Sequence, residues 1–454
     1  MPLLDHVMHQ MSTSMIPACY RVIVCWWVVL LLSCTVATSH GQPPLISRLA
    51  KDPATSLYTI TVKADKSPLV VDLAGSLVWS TCPSSPKHGT VPCESTTCDT
   101  AKQQGPAAGC RYVDGGRFWE NRKPGSSWCA CTAHPLNPVT RECSTGDLTS
   151  VAMSTNTTTN GTMDLRPEEP FAVVGACAPA RLLRSLPASA TGIAGFSRQP
   201  LSLPSQLAGQ RGFGKNFALC LPVFATFGDT PVYMPLPSSP GLVDYRTNIP
   251  YTPLLSNAGG HYYIPVKGIS VSWNGVHVTA QLPAGVLDLD SRTGRGGVAL
   301  STATPYGTMR PDVFEAFAKA FDDVITRKGN VPYRWLPVER VVPAVKPFEL
   351  CYRGSFTRLR RPSAYDLPYI TLELGEGATW NWTLYTDNYM VEVDRAMCVG
   401  ILPTAMDSKP AVVLGGRQLE NNLLVFDLDN QRLGFSQLLD FRLTSCSSSK
   451  FSRN

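Results

Sequence analysis

Val70-Val71-Asp72-Leu73-Ala74-Gly75-Ser76-Leu77-Val78-Trp79 reads as an apolar strand that runs into an acidic turn and leaves it as a second apolar run. β-Branched residues lead in, Gly75 punctuates the turn, and Leu77, Val78 and Trp79 lead out. Ile193-Ala194-Gly195 follows, with Gly195 123 positions after Asp72. The pattern then returns once. Val298-Ala299-Leu300-Ser301-Thr302-Ala303 is another apolar strand entering a turn, and Val413-Leu414-Gly415 follows it, with Gly415 114 positions after Ser301. Two halves of equal plan predict a two-lobed β protein with its junction near residues 256–260 and a cleft between the lobes, where ligands usually bind.

Composition agrees with that class. A chain of 454 residues, 44% hydrophobic and 16% charged, is folded and long enough for two to three domains of about 150 residues. With 35 Gly and 38 Pro and no collagen-like period, it should be rich in turns and short strands. Strands are expected over 57–62, 69–71, 261–272 and 412–414. One helix is clear: Pro311 at a first-turn position, then Val313, Phe314, Phe317, Phe321, Val324 and Ile325 at three- and four-residue intervals, the core stripe of a helix lying on a sheet. A shorter helix is expected over Leu203–Ala208. The 40 basic and 34 acidic residues leave a net charge of +6, spread without a Lys/Arg run that could track a phosphate backbone, which argues against nucleic acid as a partner.

Residues 1–40 read as a secretory leader. Arg21 precedes the apolar run Val22–Leu32 and the small residues of 34–39, and the run is too short to span roughly 30 Å of hydrocarbon. Cleavage is expected near Ser39 or His40, with no membrane association afterwards. The leader takes three of the 15 cysteines with it. The twelve left, Cys82, Cys93, Cys98, Cys110, Cys129, Cys131, Cys143, Cys177, Cys220, Cys351, Cys398 and Cys446, are an even number, as six disulfides would require. A zinc site built on Cys93 and Cys98, or on Cys129 and Cys131, is the competing reading. Neither pair has the Cys-x2-Cys spacing, and the histidines are scattered, so no metal and no cofactor is expected. Asn156, Asn160 and Asn381 each open an Asn-x-Thr sequon. The first two lie in a Thr/Asn stretch that reads as an exposed loop and are preferred over Asn381.

The first active-site segment of pepsin-like aspartic proteases, Asp-Thr-Gly-Ser-x-Leu-x-Trp, resembles residues 72–79. Ser301-Thr302-Ala303-Thr304 falls where the second such segment should be, directly before the Pro311 helix. Residues 192–196 with 201–207, and 414–416 with 426–428 and 433–435, match the supporting elements, so the resemblance spans the mature chain. It implies a mainly β, bilobal pepsin-like fold with few short helices: a leader over 1–40, an N-terminal lobe over 41–258 and a C-terminal lobe over 259–454. Peptide hydrolysis in that fold needs two carboxyl groups sharing one proton, so that one activates water and the other protonates the carbonyl. Asp72 keeps the first carboxylate. Ser301 supplies only a hydroxyl, Leu73 replaces a threonine, and Ala74 and Ala303 carry a Cβ where the family has glycine, which is expected to hinder close backbone approach. The chain is therefore read as a non-enzyme, with Asp72 and Ser301 as remnant positions.

Within that superfamily the chain is similar to the TAXI-type xylanase inhibitors of plants, through residues 51–59, 72–82, 131–143, 176–187, 300–302 and 347–352. That resemblance implies a secreted, extracellular or cell-wall, disulfide-bonded glycoprotein, monomeric, that inhibits microbial glycoside hydrolases in defence. It also implies a bridge between Cys351 and Cys398. The inhibitors place a histidine shortly before their last cysteine, between the partner's two carboxyl groups, about 5 Å apart in retaining enzymes. Here that place is taken by Asp440, followed by Phe441 and Arg442. A third carboxylate there is repelled or must take up a proton, so Arg442 is the expected anchor of the inhibitory loop. An active endopeptidase with an Asp/Ser pair, and an extracellular binding or storage glycoprotein without inhibitory activity, are the alternatives.

Overall fold

A computed structural model describes residues 42–82, 89–113, 130–158, 165–326, 338–354, 356 and 366–449. The expected leader, Cys129 and Asn160 lie outside the described residues. The fold is mainly β and bilobal, and the repeat in the sequence is a repeat in pairing. Leu69–Asp72 runs parallel to Gly192–Gly195, in register from Val70↔Ile193 to Asp72↔Gly195. Gly192–Gly195 in turn lies antiparallel to Val78–Thr81, so it is held between the two arms of the Asp72 turn. In the second copy Val298–Leu300 runs parallel to Val412–Leu414, from Val298↔Val412 to Leu300↔Leu414. Val412–Leu414 lies antiparallel to Gly307–Met309. The register puts Gly195 beside Asp72, and Gly415 and Ser301 directly follow the last pair of the second copy, Leu414 and Leu300. A Cβ on Gly195 would sit 2.5 Å from the carbonyl oxygens of Gly75 and Leu77, and one on Gly415 would meet the Tyr306 carbonyl oxygen closer still. That close approach, and not a positive φ, is why glycine stands at both positions.

A sheet drawn from both halves joins the lobes. Its order is Tyr251–Pro253, Arg432–Phe435, Leu423–Asp427, Asn216–Cys220, Phe224–Phe227 and Leu45–Lys51. At its middle Phe217 faces Phe426 across the antiparallel pair, and the two rings stack with centroids 4.4 Å apart. Tyr58 adds a polar tie: its hydroxyl donates to Glu420 Oε1 at 2.8 Å, and Lys51 reaches the same oxygen at 2.7 Å.

The helix expected from Pro311 spans Pro311–Thr326 and buries all six residues of its apolar stripe. It packs on the strand Val266–Trp273. The shorter helix runs to Leu203–Arg211. A third, Thr96–Gln104, was not readable from apolar periodicity, because only Cys98 and Ala101 are buried on it; Ser95 caps it by accepting from Cys98 N. The expected strand over 261–272 is two strands, Tyr262–Ile264 and Val266–Trp273, broken at Pro265, which has no N–H for the ladder. The Thr/Asn stretch is likewise not a loop where it is described. Asn156–Thr158 is a strand between Leu45–Lys51 and Leu165–Pro167, with Thr157 and Thr158 buried, so the preference for Asn156 over Asn381 as the more exposed sequon is reversed.

Disulfides join Cys82 to Cys177, Cys98 to Cys131, Cys110 to Cys143, Cys220 to Cys446 and Cys351 to Cys398. Cys93 is disulfide-bonded as well.

Candidate functional site

Asp72 closes its strand at the floor of the first turn. Its Oδ1 accepts from the Ala74 amide at 2.9 Å, and its backbone carbonyl accepts from Gly75 N and Phe196 N. The side chain is buried, and burial pushes its pKa from 3.8 up to about 6, against the opposing pull of the Ala74 and Gly75 amides and the Arg141 guanidinium. None of these neighbours is an acid. In the second turn Ser301 Oγ accepts from Ala303 N at 3.2 Å, the same contact one lobe over, and Ser301 N donates to Leu414 O at 2.9 Å. Position 301 thus repeats the geometry of Asp72 without its charge.

Thr302 bolts the two turns together. Fully buried, its hydroxyl donates to Val71 O at 2.6 Å and accepts from Leu73 N at 3.1 Å. Leu73, also fully buried, has no hydroxyl with which to return those bonds, so one side chain cross-links both turns. The Ala74 and Ala303 amides each donate within their own turn, to Asp72 Oδ1 and Ser301 Oγ, and at Gly75 a Cβ would lie 2.7 Å from Gly195 Cα.

The charge of Arg141 reaches Asp72, and Arg141 and Lys409 both act on His261. Arg141 and Lys409 are exposed and have no ion-pair partner among the described residues. His261 is held below its ordinary value by burial, with Arg141 and Lys409 adding to the effect. Neither this pair of cations nor the double role of Thr302 was read from the sequence. The first needs the fold, and the second could have been found from Thr302 being the one hydroxyl left at its motif position. Among the described residues no group of His, Cys, Asp and Glu could hold a metal ion, and no helix is long and apolar enough to cross a membrane. Chemically the floor offers one buried carboxyl that titrates near pH 6 and one neutral alcohol.

The Asp440 segment belongs to a different part of the molecule. Leu439–Arg442 is a single 3-10 turn after the last strand of the joining sheet, and buried Leu439 packs with Ile46, Ala218, Phe224 and Tyr245. Asp440 is half-buried. Burial raises its pKa, Asn421 opposes the rise through a hydrogen bond, and the charge of Asp387 adds to it. The Phe441 ring lies against Tyr385 with centroids 4.0 Å apart. Arg442 is exposed, and Leu443 after it has a left-handed φ of 56°. Cys446 ties the segment down through Cys220, and its amide donates to Asn421 Oδ1 at 2.9 Å.

Twin strand-and-turn units with one acid, Asp72, and one alcohol, Ser301, at their tips define a pepsin-like fold. The chain belongs to the xylanase inhibitor family: residues 58–229 match the family's N-terminal model and residues 261–437 its C-terminal model. It is 38% identical over 424 residues to Chitinase CLP of Oryza sativa subsp. japonica, covering 90% of this chain and 91% of that one. It is 30% identical to Gamma conglutin 1 of Prunus dulcis, covering 93% and 94% of the two chains. Among solved structures, edgp aligns with a TM-score of 0.73 at 28% identity, over 90% of this chain and 98% of that one. Conglutin gamma from lupine seeds aligns with a TM-score of 0.68 at 27% identity, over 91% and 100%.

Proposed function

We propose that the protein is a secreted, proteolytically inactive inhibitor of microbial glycoside hydrolases, with lobes over 41–258 and 259–454. The observation that carries this reading is the match of both halves of the chain to the xylanase inhibitor family, joined to a site that has kept its scaffold and lost an acid. Without a second carboxyl group, no proton can be shared across the cleft and no water activated in the aspartic-protease manner. Such a scaffold can bind but not cut.

Arg442 is the anchor. It is exposed, it closes a turn fixed by Phe441 on Tyr385 and by the Cys220–Cys446 bridge, and a guanidinium between two carboxylates makes charge-assisted, forked hydrogen bonds. Asp440 beside it opposes binding when ionised, and its raised pKa favours the neutral form as the medium becomes acidic.

The test is inhibition of a panel of xylanases and endoglucanases by the purified secreted protein. At least one is blocked, Arg442→Ala weakens that inhibition about thirtyfold, the size of an interface hot spot, and Asp440→Asn strengthens it. No inhibition across the panel overturns the reading, and unchanged affinity in Arg442→Ala removes the anchor. A second reading takes its support from the rice relative's name, and the same preparation assayed on chitin decides it: turnover would make this chain a hydrolase. Denatured globin across acidic pH stays uncut; pepstatin-sensitive cleavage would restore the endopeptidase reading.

A further inference from the structure

We propose that Asn381 carries an N-linked glycan whose first sugar packs on Trp380. Asn381 lies at the end of the loop between the strands Tyr369–Leu374 and Trp382–Leu384 and is exposed. Its Oδ1 accepts from Leu374 N at 3.0 Å; the donor there is a backbone amide, which fixes which end of the side chain is oxygen. Nδ2 has no acceptor among the described residues. An N-linked glycan forms when Nδ2 attacks C1 of a lipid-diphosphate-linked oligosaccharide: the N–C1 bond forms, the C1–O bond breaks, and the lipid diphosphate leaves while Nδ2 gives up a proton. The carbonyl oxygen is untouched by that exchange, so the bond to Leu374 N survives it.

Trp380, the preceding residue, is 64% exposed, the most exposed aromatic side chain of the described residues. Its neighbour in the same chain segment, Trp382, is fully buried and stacked on Phe435 with centroids 5.0 Å apart, so the loop is anchored at one indole and presents the other to solvent. The C–H face of a first N-acetylglucosamine covers such an indole and removes apolar area from water. Asn156 differs on each count: it is half-buried within a strand paired on both sides.

The experiment uses the full chain secreted from a eukaryotic host. Peptide mapping after amidase release, which leaves an aspartate where a glycan stood, finds Asn381 occupied. Thr383→Ala abolishes occupancy and Thr383→Ser keeps it, which separates loss of the sequon from misfolding. Oxidative labelling of Trp380, read by mass spectrometry, rises severalfold in Asn381→Gln and in the Thr383→Ala protein. An unoccupied Asn381 overturns the site, and equal labelling with and without the sugar overturns the packing.

Discussion

Asp72 is a buried acid whose neutral form the protein favours, and its titration has a definite sign. Its folded pKa of about 6 lies above the ordinary 3.8, so its contribution to stability is complete below about pH 4 and is lost as pH rises through about 6. That interval corresponds to about 3 kcal/mol. Asp72→Asn keeps an oxygen for the Ala74 amide and cannot ionise. Denaturant unfolding should find the variant gaining on the parent by up to about 3 kcal/mol between pH 4 and pH 7. A constant difference across that range would mean that Asp72 is not held neutral. Thr302→Val strands Val71 O and Leu73 N inside the protein and should cost about 3 kcal/mol in the same measurement. At this scale the sequence was legible where the signal was local. Asp72, Ser301 and Leu73 are read from two short motifs. Thr302 stood out as the one hydroxyl left at its motif position, but its partners, 229 and 231 positions away, needed the fold.

The repeated strand-and-turn unit makes its own demands. Gly195→Ala drives a methyl into two carbonyl oxygens at 2.5 Å and should destabilise by about 3 kcal/mol, with Gly415→Ala at least as severe. Gly209→Ala, in the middle of Leu203–Arg211 with open space around it, should stabilise by about 0.5 to 1 kcal/mol and serves as the control. Thermal melts of the three variants rank them; equal effects would mean that the close approach is relaxed in solution. The similar spacing of the two copies, 123 and 114 positions, foretold the unit. The Thr96–Gln104 helix escaped notice since a disulfide, not an apolar stripe, fastens it. The strand at Asn156 escaped for a different reason: threonine serves loops and strands alike, and only the partner strands decide between them.

Across the whole molecule the first strand, a middle hairpin and the last hairpin meet in one sheet, and the Cys220–Cys446 bridge spans 226 positions. Replacing both cysteines by serine should lower stability by about 4 kcal/mol, read by unfolding of the secreted protein. Under the proposed inhibitory role it should also free the Arg442 turn, so the loss of inhibition should exceed that of unfolding alone. None of this was in reach of pattern reading, which pairs neighbours and cannot pair Phe217 with Phe426. The interleaving has a further result for the chain's response to a cut. A nick in the connection near residues 256–260 yields two polypeptides that neither drift apart nor lose their shape, since each lends strands to the other and a covalent tether holds them. Such a cut molecule would migrate as one particle in gel filtration and come apart only when reductant and denaturant act together.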